Sequence, residues 1–194
     1  MPRSRRSGVV VLVLIVAAVL GGLAYQVSSS ATPPADADPA TRGELTEADG
    51  ILPEGATIGD EQYPGVANLD EGLREALRDA ASDAAESGVE IYITSGWRSV
   101  RYQKQLLDDA VAEYGSRAEA ARWVATPQTS VHVSGEAVDI GPMTAIDWLA
   151  QRGDDYGLCQ IYGNESWHYE LRPEAVERGC PRTYPDPTFD PRLS

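Results

Sequence analysis

Several residue types are nearly absent from this 194-residue chain: it has one phenylalanine, one lysine (Lys104), two methionines, two histidines and two cysteines. Against 30 acidic residues stand 16 basic ones, almost all arginine, for a formal charge of −14. So acidic a chain repels phosphate backbones and offers no basic patch, which excludes nucleic acid as a partner. No cysteine follows the one long apolar run, which excludes anchoring as a lipoprotein. No internal repeat is present.

What is present begins with Arg3, Arg5 and Arg6 in a basic stub, residues 1–7, followed by residues 8–25, which carry no charge at all. An uncharged run of that length can cross a bilayer core of roughly 30 Å. Arginines before it and none just after it orient the N-terminus to the cytoplasm and export the rest. The run is longer than the core of a cleaved leader, although Ser29 and Ala31 offer a cleavage enzyme small residues. The expectation is an uncleaved single-pass anchor, with a secreted protein as the alternative. Residues 26–48, rich in Ser, Ala, Thr, Pro and Asp, read as a flexible tether, and 49–194 as one folded domain. Outside the cell Cys159 and Cys180 would form a disulfide. It closes a loop of about 20 residues and contributes roughly 3 kcal/mol in the chain-entropy picture.

Within the domain, Asn68 and Glu71 suggest a capping box before a helix whose face is Leu69, Leu73, Leu77, Ala80 and Ala84, stopped by Gly88. Val89, Ile91 and Ile93 alternate as in a half-buried strand. Ser99 starts a second helix with Tyr102, Leu106, Ala110 and Tyr114 on one face and Gly115 at its end. Ser116 and Glu119 mark a third helix, bounded by Pro127. Strands are expected over Ala137–Ile140, Leu158–Tyr162 and Ser166–Leu171, and a helix over Ala145–Arg152. Helices early and strands late predict an α+β fold with a small, largely antiparallel sheet.

The two histidines, His132 and His168, sit among acids and small residues. Two imidazoles and one carboxylate form a common shell for catalytic zinc, with the fourth position left to water. Zinc lowers the pKa of bound water to roughly 7 and polarises a carbonyl. A separate carboxylate then carries the proton to the leaving amine, and Glu165 is the candidate. Spacing by itself leaves open that both histidines are surface or satisfied core residues. In a regular strand residues 165 and 168 point to opposite faces, so Glu165 either precedes the strand or sits at a bulge.

The motif text goes further. Ser130-Val131-His132-Val133-Ser134-Gly135-Glu136-Ala137-Val138-Asp139 resembles the Ser-x-His-x-x-Gly-x-Ala-x-Asp signature, and Glu165-Ser166-Trp167-His168 resembles Glu-x-Trp-His. Both mark the D-alanyl-D-alanine metallopeptidases of the lysostaphin and hedgehog superfamily, in particular the VanY-type D,D-carboxypeptidases. Ser95-Gly96-Trp97-Arg98-Ser99 is similar to the family's Ser-Gly-Tyr-Arg-Ser segment, with Gln103 at the familiar distance. The resemblance covers about residues 51 to 180. One departure is Gln128 after Pro127, where the family often has Pro-Gly, in a loop that lies near substrate in the relatives.

The resemblance implies that His132, Asp139 and His168 hold Zn2+ and that Glu165 acts as general base and then acid. It implies that Arg98 faces the scissile carbonyl or its developing oxyanion, and that Gln103 and Ser130 bind substrate. Apart from the resemblance, Arg98 reads as a surface arginine beside Asp108 or another acid, Ser130 as a turn hydroxyl and Gln103 as a solvated helix amide. Gly135 lets the chain turn between two ligands, Trp167 is either core or substrate wall, and the Cys159–Cys180 loop would brace the strand bearing His168. The implied activity is removal of terminal D-alanine from peptidoglycan stem peptides. The alternatives are the same zinc chemistry as an L,D-carboxypeptidase or stem-peptide endopeptidase, a dipeptidase, or a non-catalytic wall-binding module.

Overall fold

The structure, a computed structural model, describes residues 44–193. The apolar run 8–25 and most of the tether lie outside the described residues. Among the described residues no helix is long and apolar enough to cross a membrane. The folded body starts earlier than residue 49. A 3-10 turn, Glu47–Asp49, is closed by a reciprocal cap between Thr46 and Asp49. Asp49 is buried because its carboxylate accepts from Ser99 Oγ at 2.9 Å and from the guanidinium of Arg101.

The elements run in the order α1 (Pro64–Ala67), α2 (Glu71–Glu86), β1 (Tyr92–Ser95), α3 (Val100–Tyr114), α4 (Arg117–Ala120), α5 (Val131–Ser134), β2 (Ala137–Gly141), α6 (Met143–Arg152), β3 (Leu158–Gln160), β4 (His168–Leu171) and α7 (Ala175–Arg178). The four strands form one sheet in the order β1-β2-β4-β3, every pair antiparallel. The fold is therefore α+β with a small antiparallel sheet.

Strand alternation divides the sheet's work between its faces. Ile93, Val138, Ile140 and Tyr169 point into the main core with Leu73 and Leu77 of α2 and Ile146 and Leu149 of α6. Asp139 and His168, the residues between, point to the other face, and the register places them directly opposite each other. One face of the sheet thus holds the apolar core and the other the polar site.

Two local expectations change. The cap of α2 is Asp70, whose Oδ1 accepts from Leu73 N at 3.1 Å; Asn68 instead closes α1, its amide donating back to Pro64 O. The chain turns between the two helices, so the nearer side chain takes the capping position. On α3 the cap Ser99 and the terminator Gly115 stand as expected, but the buried face is Gln103, Leu107 and Ala110. A glutamine reads as solvated, and here it is buried because its amide is bound at both ends. Leu107 and Ala110 pack with Ala120 of α4 in a separate small cluster. The strand β3 ends before Tyr162, which leaves the sheet to bridge Tyr184, and β4 starts only at His168, after the turn that holds Glu165.

Candidate metal centre and cleft

The site grows from three local devices. At the end of β1 the β1–β2 register shifts between Ile93 and Ser95, which brings Ser95 opposite Asp139. The chain then crosses close beneath its own backbone at Gly96, where an added Cβ would lie 2.1 Å from Gly65 O. On the far side, the single turn α5 presents His132 and ends at Gly135, whose φ of +82° lies in the left-handed region that glycine tolerates. An added Cβ there would lie 2.3 Å from Asn68 O, so the turn between His132 and Asp139 needs glycine on two counts. His168 opens β4, and Glu165 sits in the turn before it, where its carbonyl accepts from His168 N at 3.1 Å. Glu165 therefore precedes the strand, and no bulge is needed to aim it inward.

These devices gather His132, Asp139 and His168, one ligand atom of each lying within 4.8 Å of the others, all buried. His132 Nε2 and His168 Nδ1 are 3.2 Å apart, and each is 3.4 Å from Asp139 Oδ1. The outward-facing nitrogens are both committed. His132 Nδ1 lies 2.9 Å from Gly96 O, and His168 Nε2 lies 3.3 Å from Glu170 Oε1. Both partners can only accept, so both outward nitrogens carry the protons. In neutral imidazoles the two facing nitrogens then present bare lone pairs to each other and to Asp139 Oδ1, an oxygen with no hydrogen-bond partner of its own. Three lone pairs converging in a buried space demand a cation. Two histidines and a carboxylate are the donor set of a catalytic zinc site.

The electrostatics agree. Burial opposes charge on Asp139, yet His132 and Arg98 beside it hold its pKa well below the carboxylate range. Burial pushes His132 down. His168 is pushed up to about 9 against its burial by the carboxylates of Asp139 and Glu170 beside its ring. Glu165 is pushed up to about 7 by burial. Its Oε2 is 3.8 Å from His168 Nδ1, and its Oε1 has no hydrogen-bond partner. It is a carboxylate at the edge of the trio, free to handle a proton.

Arg98 is not at the surface beside Asp108. It donates to Asp139 Oδ2 at 2.5 Å, to Ser95 Oγ at 2.7 Å and to Gln103 Oε1 at 3.2 Å. Gln103 donates in turn to Ala125 O at 2.9 Å. Arg98, Gln103, Ser130 and Glu165 line a single cleft of about 350 Å³ together with the trio. Trp167, 40% exposed, belongs to the cleft wall and not to the core. At the same wall Tyr114 and Trp123 stack with ring centroids 5.9 Å apart. Cys159 and Cys180 are bridged, with Cα atoms 5.5 Å apart. Cys159 pairs opposite Glu170 in the β3–β4 register, so the bridge anchors to the strand next to the one bearing His168. Sequence reasoning missed Glu170, although period-two alternation places it on the same face as His168. It also missed Arg192 and Asp190, for which no local signal exists.

Comparison with known proteins supplies the context. The family described as VanY, D-alanyl-D-alanine carboxypeptidase, matches residues 67–174. A D-alanyl-D-alanine carboxypeptidase of Enterococcus faecalis is 33% identical over 107 residues, 42% of this chain; the chain spans 40% of the length of that curated relative. Among solved structures, a mutant of the vancomycin resistance D,D-pentapeptidase VanY from a VanB-type cassette, in complex with Zn(II), is similar. Its TM-score is 0.52 at 27% identity, over 58% of this chain and 80% of that one. VanYB in complex with D-alanine-D-alanine is similar at TM-score 0.53 and 27% identity, over 58% and 78%. The LD-carboxypeptidase LdcB shares the fold at TM-score 0.53 and 22% identity, over 70% and 73%.

Proposed function

We propose that this chain, which belongs to the VanY family of D-alanyl-D-alanine carboxypeptidases, is a zinc peptidase that removes the terminal D-alanine from peptidoglycan stem peptides. The observation that carries the reading is the convergence of three lone pairs from His132, Asp139 and His168 beside Glu165, whose Oε1 has no hydrogen-bond partner. Zinc held by the trio supplies a Lewis acid that activates water and polarises the scissile carbonyl.

The chain's own groups do the rest. Glu165 takes the proton of the attacking water and delivers it to the departing amine nitrogen, for which a pKa near neutrality is suited. Arg98 is the only arginine or lysine lining the cleft among the described residues. It steadies Asp139 and gives a substrate carboxylate or developing oxyanion a positive neighbour. Gln103 holds Arg98 in that position, and Ser130 offers a hydroxyl at the cleft wall. The Zn(II) and D-alanine-D-alanine bound by the two VanY structures are the ligands this chemistry calls for. Residues 8–25 would anchor the protein in the membrane, with the catalytic domain on the outer side, where its substrate lies.

The test is mass spectrometry of defined stem peptides incubated with the full chain, with and without chelator. Release of one D-alanine from a pentapeptide ending in D-Ala-D-Ala, abolished by chelator and restored by zinc, is expected. Cleavage of a tetrapeptide but not a pentapeptide would transfer the reading to an L,D-carboxypeptidase. Cleavage within the stem would make it an endopeptidase, and binding without cleavage would leave a wall-binding module.

A further inference from the structure

Behind His168 lies a second polar cluster that the catalytic reading does not use. Glu170 is 1% exposed and follows His168 by two residues on the same face of β4. Besides the 3.3 Å contact with His168 Nε2, its oxygens accept from Arg192 at 2.7 and 3.2 Å and from Arg172 at 2.5 Å. The Arg192 contact is two-pronged: Nη1 meets Oε2 and Nη2 meets Oε1, the oxygen that faces His168. Arg192 is itself locked by Asp190, which accepts from its Nε at 3.0 Å. Asp190 also accepts from Tyr162 at 2.9 Å, and the Tyr162 ring sits 5.0 Å from the His168 ring.

Both routes to His168 start from the last residues of the chain, beyond the family match, which ends at 174. The fold delivers them there by covalent and backbone means. The Cys159–Cys180 bridge ties the segment to β3. Tyr184 then donates to Ile161 O at 2.9 Å and accepts from Gly163 N at 2.8 Å, which lays the segment along the strand exit.

We propose that the C-terminal segment is a working part of the metal centre, with Arg192 its positioning residue: Arg192 orients Glu170, and Glu170 fixes the ring of His168. A carboxylate that accepts from the outer nitrogen of a ligand histidine sets its tautomer and rotation and raises its basicity. A buried carboxylate does this only while its own charge is matched and its oxygens are held. The planar fork of arginine spans both oxygens of Glu170, which a point charge does not. Without Arg192, Glu170 keeps Arg172 on Oε2, while Oε1 loses its arginine partner and turns from His168. Glu170 itself touches neither substrate nor metal, and Arg192 acts only through it.

The proposal rests on the trio being a metal site, and its test reads the metal directly. Zinc dissociation constants would be measured on the full chain by chelator competition, with the visible spectrum of the cobalt(II)-substituted protein as a report on ligand geometry. Arg192→Ala is expected to weaken zinc by about 10–100-fold, the usual effect of losing such a partner, and to alter the cobalt spectrum while circular dichroism stays unchanged. Arg192→Lys should recover part of the loss. Glu170→Gln should weaken zinc as well, and adding Arg192→Ala to it should bring little more, because the two act in series. If Arg192→Ala does not fold, Arg192→Lys decides: wild-type affinity and spectrum in that protein overturn the proposal. Wild-type affinity and spectrum in a folded Arg192→Ala, or additive losses in the double variant, overturn it equally. Failure of the wild type to bind zinc removes the metal reading itself, and is distinguished from these because no variant is then compared.

Discussion

Arg98 and His132 divide the carboxylate of Asp139 between them: the guanidinium takes Oδ2 at 2.5 Å, while Oδ1 faces the ring nitrogen at 3.4 Å. One oxygen is thus neutralised and held in place, and the other is left for a cation. With zinc held by the trio, the pairing would make Arg98 a support for the metal as well as a charge in the cleft. Arg98→Ala is expected to weaken zinc by about 10–100-fold and to lower turnover by roughly 10²-fold or more. Chelator competition and steady-state kinetics measure the two separately. Zinc affinity equal to wild type would confine Arg98 to substrate or transition state.

The trio is expected to bind one zinc per chain. His132→Ala leaves two ligands and an unbalanced Asp139, so metal analysis after dialysis should find the zinc gone. A wild-type zinc content in this variant would remove His132 from the ligand set.

Glu165, like Asp139, has one oxygen with no hydrogen-bond partner, but it has no place among the converging atoms. Glu165→Gln should keep its zinc and its circular dichroism while turnover falls by about 10²–10⁴-fold. Loss of zinc would make Glu165 a ligand; near-normal turnover would move the proton carrier elsewhere.

Gly135 carries the turn between two of the trio. Its φ of +82° and the 2.3 Å approach of Asn68 O leave no room for a methyl group. Gly135→Ala is expected to cost about 2 kcal/mol or more, from the left-handed conformation and the overlap together. Thermal unfolding of the zinc-free protein measures it, and an unchanged midpoint would show that the Gly135–Asn68 contact relaxes freely.

Asp49 ties the N-terminal turn to the start of α3. Its hydrogen bonds from Arg101, with Thr46 and Ser99 adding to them, hold its pKa below the carboxylate range against its burial. A depressed carboxylate contributes stability above its unfolded pKa of about 3.9, which is lost as pH falls through the folded value. Asp49→Asn should therefore lower stability at pH 7 by about 1–3 kcal/mol. The gap to wild type should narrow below about pH 4 as Asp49 protonates. A gap that stays constant down to pH 2 would show that the charge contributes nothing.

The candidate metal trio was legible through its motif text, and the scarcity of histidine narrowed it. With two in the chain, a two-histidine site has no other candidates, and each stands in a segment whose local text is distinctive. The helix caps at Ser99 and Ser116 and the strands around Ile93 and Val138 were legible because capping and alternation are written in neighbouring residues. The buried face of α3 was not, since it depends on Gln103 finding Arg98 and Ala125 O, partners that no periodicity reports. Trp167 likewise could not be assigned to wall or core until its surroundings were known.

By itself the sequence determined the ligand and proton-carrier candidates, the antiparallel α+β class, and the pairing of its two cysteines. These follow from residue scarcity, short-range pattern and motif text, all properties of the chain read in order. Only the tertiary structure decided that Arg98 pairs with Asp139, 41 positions away, and that Glu170 and Arg192, 22 positions apart, stand behind His168. Arginine–carboxylate pairs carry no signature in sequence, because an acidic chain offers every arginine many partners. Which one it meets is set by strand register and by where the disulfide returns the C-terminal segment to the sheet.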